Sequence, residues 1–386
     1  MLIGVDLLWV RPGINGGTES VIRNLLKAFG EIGEEDFLLF VSRDNEESFR
    51  CYADNPNMKL KLCGVDSGNP MKRVLWQNAH LDSLARNSKV DVMFSPVYST
   101  PRHKKGRIPY VSVIHDMQAL HYPEYFGKIR NIFFRASWKN TCRKAAQVIT
   151  ISDYCKAEII AFYPDVAGRI TRIYDPVDIK ISDDDTSRGA AGTGSVSGEP
   201  DGAESRDAIY KKYGVKCGGY DYCVSSLLPH KNLDTLLRMK AQFRDGAVPL
   251  LISGVGGRAD EFNARIRQLG LEDLVFQTGF VSNEERDILY KGCRLFLFPS
   301  VFEGFGMPPI EALAMGKRVV MTQEACLREV TGDMAVYVEK PFDPAEWNEK
   351  IAYALSLDEK VVTFPEYDPK TVAGEYLQVF RKAVMP

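Results

Sequence analysis

The chain has 386 residues, 45% hydrophobic and 26% charged, with a formal charge of −2. That length exceeds one ordinary core and suits two domains, and the near-neutral balance argues against a general nucleic-acid binder. No apolar run reaches the roughly 18 residues that would cross a bilayer. The opening Met1-Leu2-Ile3-Gly4-Val5-Asp6 lacks a basic start and reads as a first strand, not a signal peptide.

Residues 2–8 form an apolar run that predicts a buried strand. Residues 18–29 then place Val21, Ile22, Leu25, Leu26 and Phe29 on one helical face. Further short apolar runs at 37–41, 90–94, 110–114 and 148–151, with helical stretches between some of them, predict a parallel sheet wound with helices. Residues 182–206 are rich in Asp, Ser, Gly and Ala, cannot build a core, and predict a disordered loop. The alternation restarts at 222–225 and repeats at 249–253, 275–278, 295–299, 318–321 and 336–338; residues 369–384 read as a last helix. The expected division is a first domain over 1–175, a linker over 176–215, a second domain over 216–366 and a C-terminal helix over 367–386.

Charge is uneven. Residues 72–144 hold fourteen Lys and Arg against four acids, Asp82, Asp91, Asp116 and Glu124, so the remainder is strongly acidic. This suggests an anionic partner on the N-terminal side, or else a scattered solvated surface. The eight cysteines form no CxxC pair and read as reduced thiols of a cytoplasmic chain, with no zinc cluster. Asp183-Asp184-Asp185 falls in the polar loop and reads as solvated charge, so no metal site is expected.

Open α/β sheets bind ligands beyond the carboxyl ends of their strands, and four segments fall there. Asn15-Gly16-Gly17-Thr18-Glu19 offers backbone N–H groups and a helix N-terminus to a phosphate, with Thr18 as a candidate cap; a plain tight turn is the competing reading. His115-Asp116 follows a strand and puts an imidazole where it can exchange a proton or hold a ligand oxygen, or simply sit as a structural histidine. Leu228-Pro229-His230-Lys231-Asn232 puts an ammonium at a strand-to-helix turn, able to neutralise a diphosphate, though a lone surface lysine looks the same. The fourth carries most weight. After the run 295–299 comes Glu303-Gly304-Phe305-Gly306, then Pro308-Pro309, suited to a helix start, then Glu311 and a terminating Gly316. Two carboxylates eight residues apart, one on the loop and one in the helix, can each grip a pair of neighbouring hydroxyls. Gly254-Val255-Gly256-Gly257-Arg258-Ala259 fits a dinucleotide fingerprint but follows the second strand of its domain, not the first, and Asp260 and Glu261 come directly after it.

Together these residues resemble the GT-B retaining glycosyltransferases of family 4, the glycosyl transferases group 1. Glu303 to Glu311 is similar to that family's E-x7-E motif, Gly16-Gly17 to its glycine-rich loop, His115-Asp116 to its acceptor-side histidine, and Pro229-His230-Lys231-Asn232 to its phosphate turn. The resemblance implies an α/β GT-B fold, two Rossmann-like doubly wound domains facing a central cleft, with the last helix crossing back to the first domain. It implies that Glu303 holds the donor sugar beside the Phe305 and Gly306 backbones, and that Glu311 takes the ribose. Lys231, helped by His230, Gly16 and Gly17, would bind the diphosphate. Val281 would lie near the base, and His115 would meet the sugar at the reacting face. His115, Glu303 and Lys231 are the implied catalytic residues. Ser225-Ser226 stands where many members carry Gly-Arg, so a two-cation clamp is not implied.

The implied activity is metal-independent transfer of a hexose from a UDP- or GDP-sugar to an acceptor hydroxyl with retained configuration, in cell-surface polysaccharide or glycolipid synthesis. No further cofactor is expected. The expected partners are the donor, a glycan or lipid-linked glycan acceptor and an anionic membrane surface, with no nucleic acid. Arg102, Lys104, Lys105, Arg107, Lys128, Arg130 and Arg135, with Ile132, Phe133 and Phe134 between, form the candidate membrane patch, so the expected location is cytoplasmic with peripheral attachment to the inner face of the membrane. Alternatives are another GT-B enzyme, such as a sugar-nucleotide epimerase or a phosphorylase, an NAD-dependent oxidoreductase, and a noncatalytic sugar-binding module.

Overall fold

In a computed structural model the described residues are 1–102, 108–178, 200–257 and 259–385. The chain divides into two units: Met1–Asp178 with Pro365–Pro386, and Ile179–Phe364.

The first unit is a seven-stranded sheet of β1 (Leu2–Asp6), β2 (Asp36–Val41), β3 (Met58–Leu62), β4 (Val92–Ser95), β5 (Tyr110–Ile114), β6 (Gln147–Thr150) and β7 (Ile170–Arg172). Its order is β3-β2-β1-β4-β5-β6-β7 and every pair is parallel. The order reverses between β1 and β4, which opens a crevice at the carboxyl ends of those two strands. Strands β4, β5 and β6 are buried throughout, as parallel strands covered on both faces must be. The helix Pro369–Val384 belongs to this unit: Tyr376 and Phe380 pack on Phe94, Phe380 also meets Phe29 of the helix Gly17–Ile32, and Arg381 bonds Glu34 and Glu35.

The second unit is a six-stranded parallel sheet of β8 (Asp221–Val224), β9 (Leu250–Ser253), β10 (Val275–Gly279), β11 (Leu295–Phe298), β12 (Val319–Thr322) and β13 (Val336–Val338). Its order, β10-β9-β8-β11-β12-β13, puts the reversal between β8 and β11. Side-chain alternation in β11 shows how both faces are used. Leu295 and Leu297 enter one core with Leu236, Ile252 and Trp347, while Phe296 and Phe298 enter the other with Tyr222, Tyr290 and Leu313. Residues 182–199 of the expected loop lie outside the described residues, and its remaining residues 200–206 open a helix, Pro200–Lys212. No helix among the described residues is long and apolar enough to cross a membrane.

Candidate functional site

The switch point of the second sheet gathers most of the residues singled out in the sequence. After β8 the chain runs through Ser225 and Ser226 to a short 3-10 turn, Pro229–Lys231. Asn232 then takes the left-handed conformation (φ 51°) and the helix Leu233–Gln242 begins. After β11 it runs through Glu303-Gly304-Phe305, Gly306 turns at φ 100°, and the helix Met307–Ala314 begins with prolines in its first turn. The Val301 N–H donates to the His230 carbonyl at 2.8 Å and ties the two loops together. Across them Lys231 Nζ donates to Glu303 Oε1 at 2.6 Å, with both side chains largely buried.

Neither of these two helices has a side-chain cap, whereas Asn283–Gly292 carries a full capping box from Ser282 and Glu285, and Pro344–Leu355 is capped by Asp343. The first N–H groups of an uncapped helix have no intrahelical acceptor and carry the positive end of its dipole. Leu233–Gln242 offers such N–H groups; Met307–Ala314 offers fewer, since Pro308 and Pro309 have none, and contributes mainly its dipole. With the Lys231 ammonium they lie at the carboxyl ends of β8 and β11, an arrangement suited to a diphosphate.

Glu311 lies on the first turns of Met307–Ala314. It accepts from the Tyr290 hydroxyl at 2.9 Å and faces Arg286 at 3.6 Å. Arg286 and Tyr290 are four apart on Asn283–Gly292 and so share its face. Sequence reading missed both; their i,i+4 spacing was visible, but nothing local said that the face meets Glu311. Cys326 was also missed. Its buried thiol donates to the carbonyls of Glu303 and Phe305, each at 3.2 Å, and holds the loop from behind. Gly306 is needed doubly: its φ disfavours a side chain, and a Cβ there would come 2.7 Å from Leu327 Cδ2. Phe305 is itself buried, so any part it plays toward a ligand falls to its backbone.

His230 corrects an expectation. It is 3% exposed, and burial, then the neighbouring Lys231 charge, pushes its imidazole down to about 3. Without ligand it is neutral at ordinary pH, so any part it plays toward a diphosphate is that of a neutral hydrogen-bond donor and not of a charge. Its carbonyl ties the loops, and its ring stands edge-on to Phe302. Val281 follows Gly279 and the exposed Phe280, packs partly into the core, and leads into the Ser282 capping box. The glycine turn after β9 has a packing role: Gly254 has φ 92°, and a Cβ there would meet the Ser225 carbonyl at 2.6 Å. Arg258 of that motif lies outside the described residues.

In the first unit, Gly16 has φ 56° and is the N-cap of Gly17–Ile32, again with no side-chain cap. Thr18 therefore lies inside the helix and does not cap it. Glu19 closes the loop, accepting from the Gly13 N–H and from Arg23. His115 follows β5 and is half-buried. Its Nε2 donates to the Pro96 carbonyl at 2.9 Å, because a carbonyl only accepts, which leaves Nδ1 as the nitrogen available to a ligand. Buried Asp175, past β7, lies within electrostatic reach of His115; burial raises its carboxyl to about 6.

The expected membrane patch is altered. Phe134 is buried against Tyr98 and Trp138 and Phe133 is partly buried, while Ile129 and Ile132 are exposed on the helix Lys128–Lys144 beside Lys128, Arg130, Arg135 and Lys139. Arg102 is exposed, and Lys104, Lys105 and Arg107 lie outside the described residues.

Comparisons with known proteins give the family and the fold. The family model for glycosyltransferase family 4 matches residues 15–181, and that for glycosyl transferases group 1 matches residues 220–371. The O-antigen chain mannosyltransferase B of Escherichia coli is 28% identical over 261 residues, 66% of this chain and 62% of that protein. The O-antigen chain mannosyltransferase RfbU of Salmonella typhimurium is 27% identical over 254 residues, 66% of this chain and 63% of its own length. The chain thus spans under two thirds of these curated relatives. Among solved structures, a glycosyltransferase from Rickettsia africae superposes with a TM-score of 0.69 at 16% identity, covering 99% of this chain and 98% of its own. WaaG, a glycosyltransferase involved in lipopolysaccharide biosynthesis, gives 0.64 at 15%, covering 99% and 98%. The fold is GT-B, and the chain belongs to the glycosyl transferases group 1, glycosyltransferase family 4.

Proposed function

We propose that this chain is a glycosyltransferase that moves a hexose, mannose being the first candidate, from a UDP- or GDP-sugar to an acceptor hydroxyl in O-antigen or related polysaccharide synthesis. The observation that carries this is the Lys231–Glu303 pair across the switch point of the second sheet, between two uncapped helix starts. When a nucleotide sugar binds, the ammonium exchanges Glu303 for the diphosphate, and the freed carboxylate takes hydroxyls of the donor sugar. Charge that develops on the leaving diphosphate then meets an ammonium and backbone N–H groups already in place, the usual source of such rate enhancement. Glu311, oriented by Tyr290 and Arg286, takes the ribose. Val281 lies by the base, and His115 offers Nδ1 to the sugar. Mannose is suggested by the names of the related O-antigen enzymes.

Retention of configuration follows from same-face attack, as no carboxylate is assigned as a nucleophile, and the reaction needs no divalent metal. The test is product analysis with a panel of nucleotide sugars and acceptors, with and without chelator. Transfer that disappears in Lys231→Ala and Glu303→Ala while both variants stay folded supports the reading. Near-wild-type transfer in both sinks it. Hydrolysis or epimerisation of the donor without acceptor would favour another GT-B enzyme.

The acceptor is a glycan presented at an anionic membrane surface. The helix Lys128–Lys144 carries six basic residues and no acid, with Ile129 84% and Ile132 68% exposed. Sedimentation with vesicles should show a preference for anionic over zwitterionic lipid, and Ile129→Ser with Ile132→Ser should weaken it; equal binding to both lipids removes the idea.

A further inference from the structure

The switch point of the first sheet carries two arginines that no ion pair among the described residues accounts for. Arg73 sits on the helix Pro70–Trp76, and Gln77, four residues on, shares its face. Gln77 Nε2 donates to Asp6 Oδ2 at 2.7 Å, which pins this face over the end of β1. Arg11 stands in the loop leaving β1. Its N–H donates to Asn15 Oδ1 at 2.6 Å, and Asn45 holds the carbonyls of Leu7 and Val10 just before it. Both arginines are half-buried, and neither forms an ion pair with a described carboxylate. The Arg73 Nε is buried with no acceptor.

The nearest carboxylate does not resolve this. Asp6 is fully buried, but its oxygens are taken by the Leu8 N–H (3.2 Å), Gln77 and the Ser99 hydroxyl (3.1 Å). Its charge reaches Arg73 only through space, and Arg11 lies within electrostatic reach of Arg73. Tyr98, within electrostatic reach of Arg73, Arg130 and Asp116, closes the neighbourhood. Burying a guanidinium nitrogen without a partner is costly, and here that cost falls on Arg73 Nε. The arrangement makes sense if a ligand supplies the missing acceptor, and two planar forks match the oxygens of one phosphoryl group.

We propose that Arg11 and Arg73 form a phosphate-binding subsite in the first unit, at the carboxyl ends of β1 and β4, which takes a phosphate or diphosphate of the acceptor. The word acceptor rests on the transferase reading; the anion site does not.

The test uses full-length protein carrying Lys231→Ala, which silences the candidate anion site of the second unit, with inorganic pyrophosphate as the calorimetric probe. Adding Arg11→Gln or Arg73→Gln should weaken binding about tenfold or more, the usual cost of a lost charged hydrogen bond. Arg73→Lys should recover only part, since an ammonium lacks the fork. Arg11 lies in a loop, so its variant reports even if Arg73→Gln fails to fold. Unchanged affinity in both glutamine variants, or an equal loss from the remote Arg328→Gln, overturns the subsite. Competition by a short prenyl diphosphate at tenfold lower concentration than by a hexose 1-phosphate assigns a lipid-linked source, and the reverse order a soluble one. Competition by neither overturns the acceptor assignment. Full transfer activity in Lys231→Ala would overturn the donor site while leaving the arginine result to stand by itself.

Discussion

Both sheets reverse their strand order in the same way, yet the two switch points hold charge differently. In the second sheet Lys231 is already paired with Glu303, and two helices begin there without caps. In the first sheet the buried carboxylate Asp6 is satisfied mainly by neutral donors, and the nearby Arg11 and Arg73 form no ion pair with a described carboxylate. A cation held by a protein carboxylate is positioned before ligand arrives and releases a second functional group when it changes partner. A cation left unpaired raises the cost of the empty state and gains more from an incoming anion. The first device suits a donor whose leaving group and sugar must both be gripped. The second suits simple capture.

The sharpest way to break this contrast is at the pair. Lys231→Ala and Glu303→Ala should each lower kcat by about 100-fold or more, the scale of losing one preorganised charge partner. The double variant should be no more active, yet more stable toward urea than either single, because a half-buried unpaired charge costs more than no charge. Equal stability of all three would mean that the pair is effectively solvated.

Next in size come the two glycine turns. Gly306→Ala meets both a positive φ and Leu327, and should destabilise the protein by about 1–3 kcal/mol. Gly16→Ala meets only the φ, with nothing within 4 Å, and should cost about 1 kcal/mol in thermal unfolding.

Titration should separate the units by sign. His230 has an ordinary value of 6.5 and is pushed down to about 3 by burial and Lys231. The unfolded chain therefore takes up a proton that the folded one refuses. Stability present above pH 6.5 is lost as pH falls toward 3, and His230→Gln should flatten that limb. Asp175 is raised by burial from 3.8 to about 6. Its contribution is present below pH 3.8 and lost as pH rises through 6, and Asp175→Asn should remove that slope. Urea midpoints between pH 4 and 8 measure both. The smallest effect is expected at Thr18. Because Gly16 holds the cap position, Thr18→Ala should change stability by no more than about 0.5 kcal/mol.

Much of the fold was legible because parallel strands buried on both faces must be apolar runs, and in the second sheet even the partly buried edges β10 and β13 carry short apolar stretches, so all six strands were found. β3 and β7 were missed. They are the edges of the first sheet; the residues after Met58 in β3 are largely exposed, and β7 has only three residues, so neither writes a run. The same physics explains Phe134. A basic helix with three consecutive apolar residues looks interfacial, and only packing against Tyr98 and Trp138 shows that one of them belongs to the core.

The sequence by itself determined the βα alternation and singled out Lys231, Glu303 and Glu311 at two strand-to-helix connections, because strand burial, glycine turns and helix starts are local demands written in neighbouring residues. Only the tertiary structure decided which of them meet. Lys231 and Glu303 are 72 residues apart and touch because β8 and β11 are neighbours. His230 loses its charge through burial that no local pattern announces, and Arg11 and Arg73 find no carboxylate partner among the described residues because Asp6 is already occupied. Pairing, burial and the field of nearby charges depend on residues distant in sequence, so they exist only once the sheets have closed their cores.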